Sequence, residues 1–182
     1  MAQRFSSLNE QHIEFIQQQH MFFVSTAPDE GSINLSPKGL GGLHIKDSNT
    51  IHWLNLTGSG NETATHVREN GRMTLLFCAF EGTPRIMRVY GKARVVHPRN
   101  EAWTAMIEQF GNPKGARQIF VLDIELVQKS CGYAIPLYEY QGQRDILPRW
   151  AENKTPEQIE AYWHEKNETS LNGQPTGLFS DG

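Results

Sequence analysis

Residues 57–63 read Thr57-Gly58-Ser59-Gly60-Asn61-Glu62-Thr63. They follow a β-branched and aromatic run at 50–56 and open a helix-forming run at 61–70 that stops at Gly71. The junction therefore joins a strand to a helix through a loop of small residues. Small residues let a ligand approach the backbone closely. A helix start offers free N–H donors and a partial positive charge. The hydroxyls of Ser59 and Thr63 add donors, so the stretch has the parts of a phosphate cradle. Ser59-Gly60-Asn61-Glu62 also has the form of a capping box, and on this junction alone ordinary capping is the simpler reading. The glycine spacings of a P-loop and of a dinucleotide fingerprint are absent.

Strand-like runs surround this junction. Residues 21–26 and 32–36 flank a turn and read as a hairpin. The run at 50–56 is a third strand, 73–80 a fourth, 85–96 a fifth bent at Gly91, and 118–127 a sixth. Ser7-Leu8-Asn9-Glu10 has the capping-box form for a first helix, with Leu8, His12, Phe15 and Ile16 on one face. Residues 98–110 carry Trp103, Met106, Ile107 and Phe110 at helical spacing, a stripe that predicts core. A short helix is expected at 144–153. Another opens at Thr155-Pro156-Glu157-Gln158, with Ile159, Tyr162, Trp163 and Lys166 on one face. The polar tail from residue 167 is either disordered or an arm that packs on something else. Six strands with inserted helices point to a small antiparallel barrel.

Two further segments hold candidate ligand-binding side chains. In Arg85-Ile86-Met87-Arg88-Val89-Tyr90-Gly91, strand alternation puts Arg85 with Met87 and Val89 and places Arg88 with Ile86 and Tyr90. An arginine among apolar neighbours either meets an anion such as phosphate or lays its stem over apolar surface, and the pattern does not separate the two. In Ser32-Ile33-Asn34-Leu35-Ser36-Pro37-Lys38-Gly39 a strand ends in a turn presenting Ser36 and Lys38. Taken alone, Lys38 reads more simply as a solvated turn lysine. No histidine pair has metal-site spacing, and no nucleophile elbow is present, so metallohydrolase and serine hydrolase chemistry are rejected. No side chain stands out as a general acid or base.

Composition sets outer limits. The 182 residues carry a formal net charge of −3, with 38% hydrophobic and 20% charged residues. This is enough chain for a core without disulfides, and no basic patch points to nucleic acid. Cys78 and Cys131 both sit in apolar contexts and are expected to be buried, reduced thiols. No secretory leader and no membrane span is expected, which places the protein in the cytoplasm by elimination.

Taken in order, these segments resemble the pyridoxamine-phosphate oxidase-related FMN-binding family. The resemblance rests on Phe23-Val24-Ser25-Thr26, Ile33 to Gly39, Gly58 to Thr63, Gly71-Arg72-Met73-Thr74-Leu75-Leu76-Phe77, Arg85 to Gly91 and Ser130-Cys131-Gly132-Tyr133, and covers roughly residues 10–175. It implies a mainly β, α+β chain: a six-stranded antiparallel split β-barrel with flanking helices. The barrel domain would occupy residues 1–140, with a helical extension and tail at 141–182. It also implies a homodimer with FMN held between subunits. The residues it nominates for the flavin are Ser36, Lys38, Trp53, Leu54, Ser59, Asn61, Thr63, Arg85 and Arg88, with the ring near Trp53 and the Ser36 turn. The function implied is an FMN-dependent oxidoreductase, with a small-molecule substrate or electron donor that the sequence does not name.

The chain also departs from that pattern. Parent oxidases place a lysine just inside the helix after the third strand, whereas Asn61-Glu62-Thr63-Ala64-Thr65 has none, so phosphate charge falls to Lys38, Arg85 or Arg88. The ending Thr176-Gly177-Leu178-Phe179-Ser180-Asp181-Gly182 lacks the parent's arginine-bearing segment, which argues against oxidation of pyridoxamine phosphate. The alternative is a non-catalytic sensor or carrier barrel that binds another flavin-like cofactor or haem, with His44, His52 or His66 as haem ligands. A barrel that has lost its cofactor is the third possibility.

Overall fold

Alternating apolar residues give each strand one face to hide, and a curled sheet hides it against itself. The computed structural model describes residues 2–180. Among these, the strands are β1 (Gln3–Phe5), β2 (Phe22–Thr26), β3 (Asn34–Lys38), β4 (Leu43–Asp47), β5 (Thr50–Leu56), β6 (Arg72–Cys78), β7 (Ile86–Val96) and β8 (Ala116–Ser130). The helices are α1 (Glu10–Gln17), α2 (Glu62–Asn70), α3 (Trp103–Ile107), α4 (Ile146–Glu152) and α5 (Pro156–Asn167). The strands form one antiparallel sheet in the order β3-β2-β6-β7-β8-β5-β4, and β1 pairs with β8 off this path. The long β8 bonds β5 along its first half and β1 along its second.

The sheet does not close through hydrogen bonds: β3 and β4 are its two edges, although only residues 39–42 separate them in the chain. That gap is the split in the barrel, and β3, the loop and the end of β5 border it. Inside lie Val24, Ile51, Trp53, Leu75, Phe77, Met87, Val89, Phe120 and Leu122, with Phe15 and Ile16 of α1 against them. Each such burial is worth about 1.5–3 kcal/mol. A second cluster lies on the other face, where Leu54, Val96, Ile119 and Val121 pack under Ile107, Trp103, Met106 and Phe110. Of the expected apolar stripe Ile107 is core, and Trp103, Met106 and Phe110 pack half-buried beside it, which covers the outer face of β8 from Arg117 to Leu122.

Gly91 sits at a register shift between β7 and β8, and a Cβ there would collide with the Asp123 carbonyl oxygen. The bend expected at this glycine is therefore enforced by close backbone approach. Gly71 ends α2 with φ of 71°, the left-handed conformation expected of it.

Several expectations are corrected. The six strands become eight with the addition of the short β1, paired off the main path, and the short β4. The Ser7–Glu10 capping box does not form; the helix starts later, and Asn9 caps it by accepting from the His12 amide while its own amide donates to His12 Nδ1. The Ser59–Glu62 box also fails: Asn61 makes no side-chain cap, and Glu62 accepts from the Leu171 amide. The helix expected at 98–110 holds α-geometry only over α3 and tightens to a 3₁₀ turn at Glu108–Phe110. On α5 the Thr155–Gln158 box forms as expected; Ile159 and Asn167 are its buried residues, and Lys166, expected on the face of Ile159, is exposed. Cys78 is buried, whereas Cys131 is exposed.

The tail packs as an arm on the chain's own barrel. Thr176 and Leu178 are buried, Thr65 donates to the Pro175 carbonyl, and Arg99 donates to the carbonyls of Gly177 and Leu178. Met1 and the last two residues of that tail, Asp181 and Gly182, lie outside the described residues.

Candidate functional site

A cleft of about 440 Å³ opens at the split between the sheet edges. Its walls come from β3, the 39–42 loop, the end of β5 and the 57–63 loop, which brings together Ser36, Lys38, Trp53, Leu54, Ser59, Asn61 and Thr63. Arg85 and Arg88 do not line it. The Arg85 guanidinium lies 4.9 Å from the Phe15 ring centroid beside α1, and Arg88 sits in β7 between Leu76 and Gln128.

Each of the seven enters differently. Thr63, at the start of α2, is buried and accepts a hydrogen bond from Asn34 Nδ2 at 3.1 Å, which ties β3 to the helix. Ser36 faces the cleft half-buried, and Ser59 stands exposed on the loop. The Leu54 amide donates to the Gly42 carbonyl at 2.8 Å, while its side chain belongs to the cluster under α3. Trp53 is 2% exposed and stacks on Phe120 at 4.8 Å, so it floors the cleft rather than offering a free face to a ring. Lys38 Nζ lies 5.1 Å from the Trp53 ring centroid.

The 57–60 loop is braced from behind by a residue that sequence reasoning missed. Arg117, at the start of β8, is 2% exposed and lines the cleft. Its guanidinium donates to the Gly60 carbonyl at 3.0 Å and the Gly58 carbonyl at 3.3 Å. Asn167 of α5 donates to the same Gly58 carbonyl at 3.0 Å, and Asn61 donates to the Asn167 carbonyl at 3.4 Å. Trp163 Nε1 donates to Thr57 Oγ1 at 2.8 Å, and Thr57 donates onward to the Gly115 carbonyl. The extension thus holds the loop in place. Ala116-Arg117-Gln118-Ile119 reads as an arginine among strand residues, the same signal as Arg85 and Arg88, so burial alone singles it out.

The electrostatics of the cleft favour an anion. Burial, together with the nearby Arg117 charge, pulls the Lys38 ammonium down to about 8. Burial pulls Arg117 down to about 10, which leaves it charged at neutral pH. Among the described residues neither cation has a carboxylate within ion-pair distance. Two desolvated positive charges without counter-ions raise each other's energy, and an anion bound between them removes that cost. Arg117 Nε, a donor, is buried without a hydrogen-bond partner, and the Cβ direction at Gly58 is open, whereas the unpartnered Asn61 Oδ1 is an acceptor and calls for a donor instead. Apart from Asn61 Oδ1, these features fit a phosphate.

The histidines considered as haem ligands lie elsewhere. His66 is buried against Thr26 Oγ1 at 3.0 Å, and His52 is held by Gln109 Oε1 at 3.0 Å, with the His44 ring 5.8 Å away. None of the three lines this cleft. Among the described residues no group of three His, Cys, Asp or Glu side chains could hold a metal, and no helix is long and apolar enough to cross a membrane.

The sequence profile of pyridoxamine 5'-phosphate oxidase matches residues 8–131. The chain belongs to the pyridoxamine 5'-phosphate oxidase family. A curated relative, the pyridoxamine 5'-phosphate oxidase family protein ustO of Aspergillus flavus, is 39% identical over 140 residues, which are 74% of this chain and 56% of the relative. The chain thus spans a little over half the length of that relative. The fold is shared with HupZ of Group A Streptococcus (TM-score 0.53, 18% identity, 65% of this chain and 91% of that one). It is also shared with a candidate pyridoxamine 5'-phosphate oxidase of Lactobacillus delbrueckii (TM-score 0.54, 18% identity, 68% and 94%). The family match ends before α4 and α5, the extension that braces the loop.

Proposed function

We propose that this family member is an FMN-binding flavoprotein that works as an oxidoreductase and as a homodimer. The observation that carries the reading is the pairing of Lys38 and Arg117 in a cleft walled by small and hydroxyl-bearing residues. Lys38 would meet the flavin phosphate directly, with Ser36, Ser59 and Thr63 as hydroxyl partners. Arg117 would hold the Gly58–Gly60 loop and add field. The bound flavin would supply reversible hydride or electron exchange, while the protein supplies orientation and charge. The missing helix lysine is thereby compensated from β3 and β8.

Dimer formation is part of the proposal. Ile33 is 74% and Leu35 63% exposed on and beside the edge strand β3, apolar surface that a second copy would cover. The proposal assigns Arg85 and Arg88, which stand apart from their own chain's cleft, to the cleft of the second copy. The test is an absorption spectrum of purified protein after addition of FMN and desalting, with light scattering on the same sample. Flavin bands near one per chain in a dimer are expected. A colourless protein, or a flavin-loaded monomer at micromolar concentration, defeats the corresponding half of the proposal.

A further inference from the structure

The cleft is not the roomiest hollow among the described residues. A chamber of about 1200 Å³ adjoins it, and the two share Pro37 to Leu40, Thr57, Gly58 and Leu147. Ligand pockets for small molecules usually run from about 300 to 1,000 Å³, so the chamber has room for a sizeable guest beside whatever fills the cleft.

Its walls are aromatic and come from two parts of the chain. Phe80, two residues past β6, faces Tyr138 with ring centroids 5.4 Å apart, and His20, before β2, stacks on Tyr140 at 3.6 Å. Trp150 of α4 meets Tyr162 of α5 edge-on at 5.2 Å. The irregular segment after β8 supplies one wall and is fastened to the barrel by side-chain and backbone bonds. The Tyr138 amide donates to the Phe80 carbonyl at 2.9 Å and the Tyr140 amide to Glu81 Oε1 at 3.1 Å. Gln143 bridges outward, donating to the His20 carbonyl at 2.8 Å and accepting from the Leu40 amide at 3.1 Å. A wall pinned at both ends is ordered before any guest arrives, which lowers the entropic cost of binding.

The charge of the chamber differs from that of the cleft. The acidic groups Glu81 and Glu139 and the basic groups Lys38 and Arg144 all border it, and Glu81 lies 3.7 Å from His20. Among the described residues that line it, Arg144 is the one Lys or Arg besides Lys38, and with Glu81 and Glu139 on the same border the chamber does not match a phosphate. Aromatic faces bind flat apolar rings through stacking and edge contacts. We infer that the chamber is the substrate site, and that it takes a planar, largely apolar, uncharged aromatic molecule in place of a phosphorylated one. Only the name "substrate" rests on the flavin reading of the adjoining cleft; the binding itself does not.

The probe is 2-naphthol, a neutral bicyclic alcohol, titrated by calorimetry into the full chain both without flavin and loaded with FMN. Tyr138→Ser and Ile146→Glu are the variants, since both side chains are well exposed, at 63% and 67%, and neither supports the core. The expected result is saturable 2-naphthol binding to both forms of the wild type, weakened about tenfold or more in each variant, with pyridoxine 5'-phosphate failing to compete. Unchanged FMN retention in the variants is also expected. The inference is overturned if wild-type protein fails to bind 2-naphthol, or if both variants bind it unchanged. It is equally overturned if FMN abolishes the binding, which would put the flavin ring in the chamber, or if affinity falls as protein concentration rises, which would put a second copy there. Binding of 2-naphthol by a chain that retains no FMN would sustain the chamber and refute the flavin reading alone.

Discussion

Replacing Lys38 by methionine should move stability and ligand affinity in opposite directions. The ammonium is held at about 8 in the folded chain, against an ordinary 10.5, first by burial and then by the Arg117 charge. Below about pH 8 the folded protein therefore carries a charged group it disfavours. A drop of that size corresponds to about 3 kcal/mol at ~1.36 kcal/mol per pH unit. Lys38 is only half-buried, so solvent screening reduces the expected effect to about 1–2 kcal/mol. The sign follows from linkage: the folded value lies below the unfolded one, so the penalty is fully present below about pH 8 and fades as the pH rises toward 10.5. Without flavin, Lys38→Met should be more stable than wild type by about 1–2 kcal/mol at pH 7, and the gap should narrow toward pH 10. FMN binding should weaken by about ten- to hundredfold, the worth of one charge-assisted hydrogen bond. Urea denaturation at several pH values and a flavin titration read both effects. A variant that is less stable than wild type at pH 7, or a stability gap that ignores pH, would refute the reasoning.

Other substitutions probe separate parts of the structure. Arg117→Met leaves the Gly58 and Gly60 carbonyls without their guanidinium donor; denaturant melts should show a loss of about 2–4 kcal/mol, and FMN should no longer survive desalting. Gly91→Ala forces a Cβ into the Asp123 carbonyl, and a melting-temperature drop equivalent to more than about 2 kcal/mol is expected. Thiol labelling of the native protein should give one fast cysteine per chain, Cys131, while Cys78, whose thiol burial pushes up, reacts only on unfolding.

The sequence and the structure agree where the signal is local. The 57–63 junction, the hairpin of β2 and β3, the stripe of α3 and the Thr155 cap of α5 all follow from neighbouring residues, and each forms. Ser36 and Lys38 were singled out by the local pattern and nominated for the flavin by the family resemblance, and both line the cleft at the split. Signals set by distant parts of the chain were not legible. Among the described residues strand β4 pairs with β5 alone, carries Lys46 and Asp47, and breaks register between Ile45 and Asp47, so no run of alternation marks it. The local pattern put the cap of the first helix at Ser7, whereas Asn9 caps it and the Leu8 amide is taken up by the distant Ser48 carbonyl. The role of Arg117 depends on bonds to Gly58 and Gly60, 59 and 57 residues away. Asn167 reaches the same carbonyl across 109 residues. The extension has no local motif for bracing a loop, and only the folded chain shows that it does.

The central claim is that the cleft at the barrel split recognises a flavin by its phosphate. The direct measurement is a side-by-side titration of the flavin-free protein with FMN and with riboflavin, which has the same ring and lacks the phosphate. The account predicts that FMN binds more tightly by about a hundredfold, and that Lys38→Met removes most of the difference. Equal affinity for the two flavins, or a preference for FMN that survives the loss of Lys38, would contradict it.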